Sequence, residues 1–137
     1  MTEERMGEIA LMYIRQELQE QREKEGLSAE RFLAKHGRSI TDTCFNIGIE
    51  PEVGVVFAQE LLHPERPPSP DLSQEERQEI ALKLIQRRLR EKGYHLNRNT
   101  PRVVGSTTQK LRITRKEGIE FTRSMIQWLL DYLLPVA

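Results

Sequence analysis

Cysteine, histidine and aromatic residues are scarce in this chain, and each shortage removes a class of chemistry. A single cysteine, Cys44, among 137 residues cannot close an intramolecular disulfide or begin a cysteine-based zinc site. Between Thr43 and Phe45 it reads as a small buried hydrophobe, not a nucleophile. The three histidines, His36, His63 and His95, fall at expected helix ends and turns, and none has a partner at metal-binding helical spacing. No metal, cofactor or small-molecule ligand is therefore expected. Neither a glycine-rich phosphate loop nor a nucleophile elbow occurs. A catalytic site would have to form in a cleft between the halves, from His95, Tyr94 or Asp42, and enzymatic activity is not expected. Long hydrophobic runs are also missing: Met125 to Ala137 is shorter than the ~20 residues that span a bilayer, and Asp131 interrupts it. The opening residues, Met1 to Gly7, are charged and unlike a signal peptide. A cytoplasmic protein without a membrane segment is the expectation.

What the chain does contain is helical pattern. Hydrophobic residues make up 37% and charged residues 31%, a balance suited to a globular fold. The stretch from Ser73 to Gly93 carries the clearest signals. Ser73 stands three positions before Glu76, the spacing of a capping box. Ile80, Ala81, Leu84, Ile85 and Leu89 then recur at three- and four-residue steps, acidic residues crowd the first turns and basic ones the last. Gly93 supplies a stop.

Taken in order, the sequence predicts a first helix from Glu3 to Glu25 ended by Gly26. Two short helices follow, one capped by Ser28 and closed by Gly37, the other opened by Ser39 and Asp42 and closed by Gly48. Pro51 fits the first position of a further helix. The segment from His63 to Ser73 holds four prolines and predicts a stiff, extended, non-helical linker. A loop is expected over Tyr94 to Asn99, then a helix opened by Thr100 and Pro101. A second capping box, Thr114 with Glu117, launches the last helix. No segment alternates at a period of two, so the fold class is all-α. The last helix is apolar on more than one face. Its residues Trp128, Tyr132 and Leu134 lie off the main stripe, which predicts either a central post between the halves or a homodimer interface.

The chain also resembles itself. Glu8, Ile9, Ala10, Leu11, Ile14 and Leu18 recur as Glu79, Ile80, Ala81, Leu82, Ile85 and Leu89, 71 positions later. Ile49, Gly54 and Phe57 recur as Ile113, Gly118 and Phe121, 64 positions later. Two tandem helical repeats sharing one core are expected, residues 1–62 and 74–137, joined by the linker at 63–73.

Charge separates these halves. Residues 1–70 hold 13 acidic and 8 basic side chains, a net of −5, and residues 71–137 hold 8 and 13, a net of +5. Lys83, Arg87 and Arg90 follow one face of their helix. Arg98, Arg102, Lys110, Arg112, Arg115 and Lys116 follow in the same half. Cations in such number predict phosphate contacts with DNA or RNA. In addition, CFNIGIEPEVGVVF from Cys44 and TQKLRITRKEGIEF from Thr108 each read as helix, tight turn and second helix. This pattern resembles the helix-turn-helix, with Ile47, Gly48 and Ile49 at the first turn and Leu111, Arg112 and Ile113 at the second. The resemblance implies that the helix beginning at Arg115 is the recognition element. The pattern departs from that family in its glycines at 54 and 118. A helical protein–protein interaction module is the alternative function.

Overall fold

The structure, a computed structural model, describes residues 1–91 and 111–133. The loop and helix expected between Tyr94 and Lys110, and the interface residue Leu134, lie outside the described residues. Those described form helices α1 (Glu3–Glu25), α2 (Ala29–Asn46), α3 (Pro51–Leu62), α4 (Gln74–Glu91) and α5 (Arg115–Leu133), with no strand among them. The all-α fold class holds.

Local chemistry explains where most helices begin and end. The Thr2 hydroxyl accepts the Arg5 N–H at 3.1 Å to start α1, and Gly26 ends it at φ +66°, a conformation that costs glycine little. The Ser73 box closes reciprocally: Ser73 Oγ accepts the Glu76 N–H, and Glu76 Oε1 accepts the Ser73 N–H, both at 3.1 Å. Thr114 Oγ1 accepts the Glu117 N–H at 3.1 Å to open α5. Pro51 occupies the start of α3, where its missing N–H has no helical partner.

Two expectations fail for tertiary reasons. The predicted pair of short helices between Ser28 and Gly48 is one helix, α2, running through Gly37. An interior glycine costs only about 1 kcal/mol, whereas Phe32, Gly37 and Cys44 are all buried and hold the helix together across that point. Within the continuous helix, Thr41 and Thr43 satisfy their hydroxyls by donating back to the Arg38 and Ser39 carbonyls, at 2.9 and 2.8 Å, instead of capping a new helix. The segment 63–73 is non-helical as expected, but it is turned, not extended. Leu72 within it is buried. The Ser69 N–H donates to Glu60 Oε1 at 2.8 Å, and Arg77 Nη2 donates to the Ser69 carbonyl at 2.5 Å. Arg77 also donates to both Glu60 oxygens, at 2.5 and 2.8 Å. The prolines are thus held by a buried ion pair between α3 and α4.

Buried side chains from both halves form one hydrophobic cluster. At its centre α1 packs along α4. A Cβ at Gly7 would lie 2.6 Å from the Gln78 Cβ, and Arg88 bonds to Glu17 near the other end, so the two helices run parallel. Helix α3 flanks α1, where Gln19 donates to the Leu61 carbonyl at 3.1 Å. Helix α5 flanks α4. Its first turn meets α1, where Glu117 accepts from Arg5 at 2.6 and 2.9 Å. Among the described residues the central post is therefore the α1/α4 pair, not the last helix.

Candidate nucleic-acid interface

Of the basic residues singled out in the sequence, Lys83, Arg87, Arg90, Arg112, Arg115 and Lys116 are described; Arg98, Arg102 and Lys110 lie outside the described residues. The described six fall into two groups. Lys83, Arg87 and Arg90 share one stripe of α4, but they are already engaged. Lys83 pairs with Glu79 one turn back at 3.1 Å, Arg87 has a partner of its own, and the Arg90 guanidinium lies 5.6 Å from the centre of the Trp128 ring. Trp128 is half-buried against the core and covered in part by that cation, an attraction of about 1 kcal/mol. The other interface residue described, Tyr132, belongs to the last turn of α5.

The second group surrounds the start of α5. Arg112, Arg115 and Lys116 are exposed, and at 1.5 Å per residue the thirteen-residue step from Arg115 to Trp128 places them about 20 Å from Arg90 along the helix axis. One continuous basic stripe is therefore not what the fold builds. It builds a compact face. Gly118, Phe121 and Met125 are buried toward the core, which turns Arg115, Lys116, Ile119 and Arg123 outward on a single side. Ile119 is 42% exposed, unusually open for a large aliphatic side chain, and its helical neighbours one turn either way are Arg115, Lys116, Thr122 and Arg123. Among the described residues none forms an ion pair with Arg112, Arg115, Lys116 or Arg123.

Arg123 does not stand out in the sequence, because it lies beyond the continuous run of charge. The spacing of Arg115, Ile119 and Arg123 at four-residue steps is the signal that could have found it. Two carboxylates lie close to the face in sequence, Glu117 and the half-exposed Glu120 beside Ile119, and Glu117 is turned away. The Arg5 guanidinium engages it and holds it below the usual carboxylate range. Its negative charge is thereby neutralised within the fold, leaving Glu120 as one carboxylate beside Arg112, Arg115, Lys116 and Arg123.

On α3, 64 positions earlier, the outer face also exposes an aliphatic side chain, with a carboxylate in place of cations. Pro51, Glu52, Val55 and Gln59 are exposed there, in the places held in α5 by Arg115, Lys116, Ile119 and Arg123. Val55 is 41% exposed, matching Ile119. Glu50, at the start of this helix, adds a second exposed carboxylate.

No protein-family model, curated protein or solved structure matches the chain. Among the described residues, no helix is long and apolar enough to cross a membrane, and no cluster of three or more potential metal ligands occurs. A partly open cavity of about 150 Å³ lies among α1, α2, α3 and α4, floored by Phe32, Phe57 and Leu61 and rimmed by His36 and Arg88. Its polar rim is engaged: His36 bonds to Glu25 at 2.8 Å and Arg88 to Glu17. Asp42 lies away from that cavity, exposed and 4.0 Å from Arg38. Tyr94 and His95, the other residues expected in a catalytic cleft, lie outside the described residues.

Proposed function

We propose that this chain is a non-catalytic protein of two related helical units sharing one core, and that it binds nucleic acid through the outer face of α5. Correspondence between the halves supports the first part. Thr2 and Ser73, 71 positions apart, cap α1 and α4. Glu50 and Thr114, 64 positions apart, immediately precede α3 and α5. Ile9 and Ile80, Ile14 and Ile85, Leu18 and Leu89, and Phe57 and Phe121 are buried pairwise at the same two offsets. A duplicated unit preserves caps and core positions together because both are needed to place each helix.

The observation that carries the second part is a group of four exposed cations without ion-pair partners among the described residues: Arg112 just before α5, and Arg115, Lys116 and Arg123 one turn either side of the exposed Ile119, with the half-exposed Glu120 as the adjoining carboxylate. Guanidinium and ammonium groups match phosphate oxygens, and an aliphatic side chain among them can meet a base edge such as a thymine methyl. The order of α2, the four residues 47–50 and α3 supports the helix-turn-helix comparison in the first unit. There the outer face carries Glu52 and no cation, so the binding role falls to the second unit.

Fluorescence anisotropy with a short DNA duplex and a single-stranded RNA, at about 50 and 200 mM salt, tests this reading. Affinity is expected to fall steeply with salt. The triple variant Arg115→Gln, Lys116→Gln, Arg123→Gln should flatten the logarithmic salt slope by about 0.7–0.9 for each phosphate that its side chains no longer neutralise. Absence of binding at the lower salt, or an unchanged slope in the triple variant, refutes the assignment.

A further inference from the structure

The outer faces of α3 and α5 each expose an aliphatic side chain and carry opposite net charge, and the fold holds them apart. On the α3 side are Glu50, Glu52 and the exposed Val55; on the α5 side are Arg112, Arg115, Lys116, Arg123 and the exposed Ile119. Helix α3 lies along α1 and α5 along α4, so the faces flank the central pair and cannot cover one another within one molecule. Each leaves a large aliphatic side chain more than 40% exposed, Val55 one turn from Glu52 and Ile119 one turn from Arg115, Lys116 and Arg123 with Glu120 adjoining. Both are surfaces that an opposite face would cover.

We infer that the occupant is a second copy of this chain: the acidic α3 face of one molecule docks on the basic α5 face of the next, with Val55 against Ile119 and Glu52 among Arg115, Lys116 and Arg123. Charge complementarity selects this partner. The α3 face offers two carboxylates, and the α5 face four cations against the single carboxylate of Glu120, in line with the −5 and +5 of the halves that contain them. Because the two patches differ, repeating the contact about a two-fold closes a dimer in which each molecule uses both faces, and repeating it head-to-tail builds a ring or an open chain. The α5 face is the same one assigned above to nucleic acid, so phosphate and the acidic face compete for it. The self-association itself does not depend on nucleic-acid binding.

Sedimentation velocity of the full chain, free of nucleic acid, tests the contact across protein concentration and salt. At low salt the wild type should grow beyond the 16.0 kDa monomer as concentration rises, and should dissociate as salt screens the faces. Two variants separate the faces. Glu50→Gln with Glu52→Lys disables α3, and Arg115→Gln with Lys116→Gln and Arg123→Gln disables α5. All five positions are exposed, and circular dichroism verifies that both variants fold. Each alone should stay monomeric, while an equimolar mixture should form a dimer and stop there, because only one productive pair of faces remains. A wild type that stays monomeric at low salt up to its solubility limit overturns the inference. So does a variant that still associates alone, or a mixture that fails to pair. Failure of the anisotropy experiment with intact mixing behaviour would remove the nucleic-acid reading and leave this one standing.

Discussion

The approach of α1 to α4 at Gly7 makes a prediction opposite in sign to that of helix propensity. Replacing an interior helical glycine with alanine ordinarily stabilises a helix by about 1 kcal/mol. In Gly7→Ala the new methyl would sit 2.6 Å from the Gln78 Cβ, roughly 1 Å inside the optimal carbon–carbon separation. The Gln78 Cβ is fixed to its backbone and cannot swing aside, so the two helices must separate. Overpacking of this kind costs about 1–3 kcal/mol, occasionally more, and separation also loosens Ala10 and Ile14 of α1 and Ala81 and Ile85 of α4, buried in the same cluster. Starting from the upper half of that range and subtracting the propensity gain leaves a net loss of about 1–2 kcal/mol. Urea unfolding followed by circular dichroism should show a lower midpoint at unchanged slope, and the melting temperature should fall by roughly 3–8 °C. Adding Gln78→Gly removes the opposing Cβ, and the double variant should lose at least about 1 kcal/mol less than the sum of the singles. Stabilisation by Gly7→Ala, or strict additivity in the double variant, would refute the parallel register of α1 and α4.

Glu60→Gln should destabilise the protein by about 3 kcal/mol, because Arg77 is left without its charge partner where the two side chains are only 13% and 7% exposed. Its effect on pH dependence is also distinctive. Hydrogen bonds from Arg77 hold the Glu60 carboxylate below its ordinary value of 4.5, so its contribution is complete above that value and is lost as the pH falls through the lower folded-state value. Urea midpoints measured over about pH 6 to 3 should therefore fall less steeply in Glu60→Gln than in the wild type; parallel profiles would remove Glu60 as a source of acid sensitivity. Burial raises the Cys44 thiol above its ordinary value, and its side chain is fully enclosed. A thiol reagent should react with native protein only as fast as it unfolds, and immediate stoichiometric labelling without denaturant would contradict that packing.

Much of the helical layout is readable because its signals are local. Thr2, Ser73 and Thr114 cap through atoms three residues away, and Gly26 and Gly48 end helices at positive φ. Nothing local distinguishes a glycine that ends a helix from one that packs inside it. Gly37 lies within α2, where a Cβ would stand 3.1 Å from a terminal methyl of Leu33, and only the burial of the whole α2 face carries the helix through. The linker reads as extended in sequence for a related reason: its prolines forbid helix, but its turns are held by Glu60 and Arg77, 17 positions apart. The charge pattern is visible in the sequence, yet the usable face is not. That Arg90 is spent on Trp128, 38 positions away, is a tertiary contact, and which cations stand together depends on the side of α5 that the core takes.

The sequence by itself determined an all-helical chain, most of its helix starts and stops, and the opposition of charge between its halves, since caps, periodicity and composition act within a few residues. The tertiary structure alone decided that α1 and α4 form the central pair, that a buried ion pair holds the proline-rich segment, and that Arg123 and Ile119 join the basic face. Each of these depends on which side of a helix is removed from water, and that is set by partners distant in the chain.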